Sequence, residues 1–312
     1  MGIETFHTLM ARNRRNSLVL IAVFLAFFVG VGLAIGLAWG RGNWHFGATV
    51  AVGAGVLAFV LTLLSYYSGS DAVLAISRAR PIQKGDDPQL FNVVEELAIA
   101  GGVPMPRIFV IDDSAPNAFA TGRNPRHAVV AITTGLRQKL TRDELQGVMA
   151  HEISHVRNND ILFAMLMAVM VGVLVMLCDV FLRSVWYSGG RRRRSGGRES
   201  GGGGTQALLM VVALLLAVIA PFLARIIQLA MSRQREYLAD ASAIELTRNP
   251  DGLVGALAKL SADTEVLEVA NRATAHLYIV HPIKKFEDRA GSIFDSHPPL
   301  KDRIQRLRSL TV

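Results

Sequence analysis

A mainly α-helical chain with a small antiparallel β-sheet, anchored by integral membrane helices, is the fold class this sequence predicts. Three observations predict it. Of 312 residues 51% are hydrophobic and 19% charged, and the mean hydropathy of +0.34 is too high for a purely soluble protein. The apolar excess lies in discrete runs of bilayer-spanning length. Between the runs stand polar stretches with helix periodicity, helix caps and short β-rich segments.

The first run, Ser17 to Trp39, holds no charged residue. At about 1.5 Å per residue, a helix of that length covers the roughly 30 Å core of a bilayer. A second run follows at Gly47 to Tyr67, and the connection Gly40 to Phe46 is too short for a domain. Residues 1–67 therefore read as an N-terminal region with a two-helix transmembrane hairpin, Trp39 and Trp44 near an interface. A cleaved signal peptide does not fit a first run this long, followed promptly by another. The third run, Ile161 to Cys178, is followed by Asp179 and Arg183, and the fourth, Ala207 to Ala224, contains Pro221 and ends at Arg225. Their length favours a second transmembrane hairpin within residues 161–229 over a buried core pair. The single cysteine, Cys178, excludes an intramolecular disulfide framework and a cysteine-built metal site.

The formal charge is +8, and Ser188 to Gly204 carries Arg191, Arg192, Arg193, Arg194 and Arg198 against Glu199. With no apolar residue to bury, the linker 188–204 reads as disordered. Without interleaved aromatics it reads as a solvated loop facing lipid headgroups, not as a nucleic-acid site. Basic residues also orient the chain: Arg12, Arg14 and Arg15 before the first run, and Arg78, Arg80 and Lys84 after the second, put both flanks in the cytoplasm. If runs three and four both span, the arginine-rich linker falls on the opposite side and opposes that rule.

The polar stretches 68–160 and 230–312 remain as the two parts of one working domain. Asp87-Pro88 is an N-cap with a first-turn proline, and Leu90, Val93, Val94 and Leu97 make a helical stripe ending at Gly101-Gly102. Beyond Pro104 and Pro106, the segments Arg107 to Ile111, Asn117 to Thr121 and His127 to Thr133 are separated by turn residues and predict the small antiparallel sheet. Thr141 and Glu144 form a capping box, opening a helix that buries Leu145, Val148 and Met149.

That helix carries His151-Glu152-Ile153-Ser154-His155, the H-E-x-x-H pattern. Residues at i and i+4 share a helix face, so both imidazoles can reach one ion. Zinc at a catalytic site takes three protein ligands and keeps an open position, and Glu152 beside the first histidine is placed to accept a proton from water. A third ligand has to come from elsewhere, and Glu236 is the candidate, with Asp240 one turn on to accept the free N–H of a ligating histidine. On spacing alone, Glu236 reads more readily as a surface carboxylate paired with Arg233 or Arg235 than as a ligand.

These motifs are similar to those of the HtpX-type membrane zinc metalloproteases, relatives of the CAAX prenyl endopeptidases in the gluzincin group. The resemblance runs through Pro116 to Gly122, His151 to His155 with Val156, Asn158 and Asp160, Glu236-Tyr237 with Ala239-Asp240, and Ser296-His297-Pro298-Pro299-Leu300 with Arg303. It implies a zincin-like metalloprotease domain on membrane helices, one zinc ion per chain held by His151, His155 and Glu236, and Glu152 as catalytic base. It further implies that Asn117, Ala118, Phe119 and Ala120 lie on an edge strand where a substrate peptide pairs. Asp240, Asn158 and Asp160 become supporting residues, and His297 and Arg303 a late pair donating to the developing oxyanion. Its cellular counterpart is a multi-pass protein of the bacterial inner membrane, its protease domain in the cytoplasm, degrading misfolded or membrane proteins. Two readings compete: a membrane scaffold or chaperone with a closed, four-ligand structural zinc, and a channel or transporter built around Asp179. Glu152 argues against the first, and pairing of Asp179 with Arg183 one turn away against the second.

Overall fold

The computed structural model describes residues 6–170, 172–173, 233–263, 277–279 and 298–309. Cys178, Asp179, Arg183, the linker 188–204, the fourth apolar run and His297 lie outside the described residues. The third run is described as far as an apolar helix, Asp160–Met170.

The chain divides into two compact units. One holds residues 18–65 and 170–227, the other 1–17, 66–169 and 228–312. The first holds most of helix α1 (Phe6–Trp39) and of helix α2 (Trp44–Ile76), joined by a tight turn through Arg41 and Gly42, both at positive φ. Spans within α1 (Arg15–Leu37) and over α2 (Trp44–Ile76) are long and apolar enough to cross a membrane, with mean hydropathies of 3.0 and 2.2. Val52, Val56, Phe59 and Leu63 form an exposed stripe along α2, a surface that water disfavours and lipid accepts. Small residues hold the hairpin together. A Cβ on Gly36 would come within 2.8 Å of Gly47 Cα, and one on Gly32 within 2.6 Å of Ala54 Cβ. The spacing of Gly32 and Gly36 is the small-xxx-small pattern that lets membrane helices approach closely.

In the second unit, helix α3 (Pro88–Gly101) starts where the Asp87 side chain accepts the Leu90 N–H and stops at Gly102, left-handed at φ 63°. Strands β1 (Arg80–Pro81), β2 (Arg107–Ile111), β3 (Ala118–Thr121) and β4 (Val129–Thr133) form one sheet in the order β1-β2-β4-β3. The β3–β4 pair is antiparallel as expected, and β1, a strand the sequence patterns did not mark, adds antiparallel to β2. The β2–β4 pair is parallel, so the sheet is mixed and the purely antiparallel expectation is corrected there. The reason lies in the connection 112–117, which reads locally as a turn but carries the chain past an empty lane that β4 then fills. That connection is anchored: Asp113 O accepts the Gly135 N–H, and Thr133 Oγ1 accepts the Asn117 N–H. A short helix, α4 (Thr134–Lys139), follows β4 directly, capped by Thr133.

Helix α5 (Arg142–Arg157) opens with a complete capping box, Thr141 with Glu144. Leu145, Val148, Met149, Ile153 and Val156 on it are fully buried, each side chain contributing about 1.5–3 kcal/mol by leaving water. The Asp160–Met170 helix, hereafter α6, continues from it. Helices α7 (Arg233–Thr247) and α8 (Pro250–Ala262) pack on α5, and α9 (Leu300–Ser309) packs on α7 and α8. The α5–α8 approach is backbone to backbone, since a Cβ on Gly147 would stand 2.5 Å from Leu253 N. Gly147→Ala must therefore push α8 away, and by overpacking is expected to cost about 1–3 kcal/mol. A thermal unfolding midpoint in detergent equal to that of the parent protein would contradict this packing account.

Candidate metal centre

His151 and His155 sit on one face of α5, and the chain delivers four carboxylates to that face. His151 Nε2 and His155 Nε2 are 3.2 Å apart. Glu236, in the first turn of α7, places Oε2 3.6 Å from the former and Oε1 3.8 Å from the latter. One ligand atom from each of the three lies within 4.8 Å of the others. Nitrogen ligands at about 2.0–2.1 Å from a tetrahedral zinc stand about 3.3 Å apart, so the imidazole spacing fits such an ion without rearrangement. Glu236 is buried and turned toward the imidazoles, so it is not the surface carboxylate that its arginine neighbours suggest.

The other ring nitrogens are fixed by carboxylates. Asp240 Oδ1 is 2.9 Å from His151 Nδ1, and Asp160 Oδ2 is 3.1 Å from His155 Nδ1. Both imidazoles can thereby donate at Nδ1 and keep Nε2 for an ion, the arrangement that raises ligand basicity. Local backbone makes the second contact possible: Asn158 is the buried C-cap of α5 and Asn159 turns at φ 56°, reversing the chain so that Asp160 comes back onto His155. Asn158 thus serves the turn.

Arg303 on α9 is fully buried beneath the site. Its Nε donates to Asp240 Oδ2 at 2.9 Å and its Nη2 to Asp240 Oδ1 at 2.6 Å. Nη2 also lies 3.3 Å from His151 Nδ1, and Nη1 donates to the Ile279 carbonyl at 3.3 Å. Glu152, on α5 beside His151, is 2% exposed and its charge helps hold Arg303 protonated.

Charges in this pocket are strongly coupled. Burial and the Arg303 charge both push the metal-free His151 down, but hydrogen bonds to Asp240 and Glu236 outweigh them and raise it to about 9. Burial likewise opposes the charged form of His155, and Asp160 overcomes it and raises its pKa. Burial raises Asp240, whereas the Arg303 charge and the His151 contact bring it down to about 2. Four carboxylates against one guanidinium leave an excess of negative charge that suits a dication.

The strand expected to meet substrate, β3, is an edge of the sheet. Asn117 O accepts the Thr133 N–H, so by strand alternation Ala118 and Ala120 turn their main-chain groups outward. Phe119 is a core side chain, packed edge-on against Tyr278 at 5.1 Å. Residues 277–279 were not singled out by sequence reasoning, yet the Ile279 N–H donates to the Ala118 carbonyl at 2.9 Å and Tyr278 Oη lies 3.2 Å from Ser77 Oγ. The apolar run Leu277 to Val280 before Pro282 is the signal that marks this segment.

Comparison with known proteins places these features in context. The profile described as Peptidase family M48 matches residues 84–311. Proteins described as Protease HtpX homolog are similar over nearly the whole chain. That of Lactobacillus helveticus is 40% identical over 96% of this chain and 98% of its own length, and that of Listeria innocua 44% identical over the same shares. The Thermoanaerobacter pseudethanolicus protein is 40% identical over 100% of both chains. The crystal structure of S. mikatae Ste24p aligns over 96% of this chain and 66% of its own, with TM-score 0.49 and 22% identity.

Because His151 is raised to about 9, the metal-free protein carries a proton there at neutral pH that an incoming ion has to displace. Binding of zinc or cobalt at pH 7.5 is expected to release about one proton or more per ion, with metal affinity weakening as pH falls. Calorimetry in two buffers of different ionisation enthalpy measures this, and a binding heat independent of buffer would contradict it.

Proposed function

The chain belongs to peptidase family M48, in its HtpX branch, and on that premise we propose a zinc-dependent membrane endopeptidase in which His151, His155 and Glu236 hold one zinc ion per chain and Glu152 is the general base. The membrane helices and the metalloprotease class come with the family; the ion, the residue roles and the substrates are the proposal. The single observation that carries it is the convergence of two imidazoles of α5 and one carboxylate of α7 on one point.

Zinc bound there supplies Lewis acidity, lowering the pKa of water to about 7 and polarising a peptide carbonyl. The chain's own groups do the rest. Glu152 takes a proton from the attacking water and delivers it to the departing amine, worth about 10²–10⁴-fold in rate for a positioned acid–base. Asp240 and Asp160 hold the imidazole tautomers. An extended polypeptide pairs with the edge of β3 over Asn117, Ala118, Phe119 and Ala120, entering at the outward main-chain groups of Ala120, since the Ala118 carbonyl is taken by the Ile279 N–H. His297, in the motif that leads into α9, is the candidate donor to the carbonyl oxygen as it becomes negative. Substrates of this kind are misfolded or membrane proteins, met at the cytoplasmic face of a bacterial inner membrane and cleared in quality control.

Glu152→Gln keeps the metal ligands and removes the base. It is expected to retain stoichiometric zinc and lose casein hydrolysis by about 10²-fold or more, whereas Glu236→Ala loses the zinc itself. Hydrolysis by Glu152→Gln at the parent rate would refute the mechanism, and full zinc retention by Glu236→Ala would refute the ligand set.

A further inference from the structure

We propose that Arg303 is a positioning residue for the metal site, clamping Asp240 so that the carboxylate holds His151 in its ligating orientation, and is not a donor to the substrate. The inference rests on the reading of His151 as a metal ligand. It departs from the oxyanion role that the sequence motif implies for this arginine.

Three features of the geometry carry it. The guanidinium presents its Nε and Nη2 side by side to the two oxygens of Asp240, at 2.9 and 2.6 Å, the paired fork that fixes a carboxylate in plane as well as in position. The same Asp240 Oδ1 is the atom 2.9 Å from His151 Nδ1, so the orientation Arg303 imposes is passed directly to the ring. The third nitrogen, Nη1, is directed at the Ile279 carbonyl, and the side chain has no solvent exposure. A donor to a developing oxyanion has to reach the open side of the ion, about 2.7–3.1 Å from the substrate oxygen. Arg303 instead meets His151 at Nδ1, 3.3 Å from Nη2, and its approach to the ligand carboxylate is the 3.8 Å between Nη1 and Glu236 Oε2, its Nε and Nη2 being already engaged by Asp240.

Helix α9 is built to deliver this clamp. Pro298 and Pro299 lead into it, and Pro299 O accepts the N–H of Arg303 itself. Arg303 and Leu307, one turn apart, are its buried face, and Arg306 lies over the Tyr237 ring at 4.5 Å, next to Glu236 in sequence. The last described helix therefore grips α7 at the turn that supplies Glu236 and Asp240. Through Ile279, whose N–H holds Ala118, the same arginine also braces the substrate-side edge of β3.

The test uses the full chain in detergent, with zinc affinity measured by chelator competition and the ligand geometry by the visible spectrum of the cobalt-substituted protein. Arg303→Lys keeps the charge and loses the fork. It is expected to weaken zinc binding about 10–100-fold, to change the cobalt spectrum, and to regain casein hydrolysis as zinc is raised. Asp240→Asn, which keeps the side-chain shape, is expected to weaken zinc similarly, and the double variant to lose little more than either single one. Parent-like zinc affinity and cobalt spectrum in Arg303→Lys, with hydrolysis that excess zinc does not restore, would overturn the proposal in favour of a substrate contact. If the parent protein itself binds no zinc, or His151→Ala binds it undiminished, the ligand reading fails instead.

Discussion

Two imidazoles four residues apart on a buried helix, each tied at Nδ1 to its own carboxylate, are the constraint on which the remaining structure depends. A histidine held at one nitrogen presents the other in a fixed direction, and His151 and His155 present theirs 3.2 Å apart. That arrangement requires α5 to be buried on its polar side as well as its apolar one. His151 and Glu152 are as hidden as the leucine and valine positions behind them. The capping box at Thr141 and Glu144 and the glycine contact at Gly147 set the helix's start and its distance from α8, fixing the height at which the histidines emerge.

Burying Glu152, Asp160, Glu236 and Asp240 around one point is costly unless positive charge is close by. Arg303 supplies part of it from α9, and a dication held by His151, His155 and Glu236 would supply the rest. In the metal-free protein the histidines compensate instead, which is why His151 stays protonated well above neutral pH. Metal affinity, protonation and the docking of the last helix are thus one coupled property of the site. The membrane hairpin is held by a different kind of contact: glycines at 32, 36 and 47 let α1 and α2 pack at backbone distance, where side-chain hydrophobicity drives little association.

Local chemistry made much of this legible in the sequence. The α3 caps at Asp87 and Gly102, the capping box of α5 and the i, i+4 histidines are each decided by neighbours a few residues away, and each stands where its pattern puts it. Bilayer-length runs 17–39 and 47–67 were legible from hydropathy alone and lie within α1 and α2. What depended on distant partners was not. The 112–117 connection has the composition of a turn, and only the place of β4 between β2 and β3 makes it a crossover. Spacing favoured a surface pair for Glu236 because its nearest charged neighbours in sequence are arginines, and its turn toward α5 is a tertiary fact. Arg303 was legible as a site residue only through a motif, which could not tell that its guanidinium faces Asp240, 63 residues away. The segment 277–279 is too short for periodicity to mark it, though its backbone touches the edge of β3 and its Tyr278 ring the face of Phe119.

X-ray absorption at the zinc edge of the loaded, detergent-purified protein tests the central claim most directly, since it reads the donors around the ion without reference to activity. The account expects two imidazole nitrogens at about 2.0–2.1 Å, the remaining donors being oxygen at about 2.0–2.2 Å. A sulfur shell at about 2.3 Å, or scattering from fewer than two imidazoles, would contradict it.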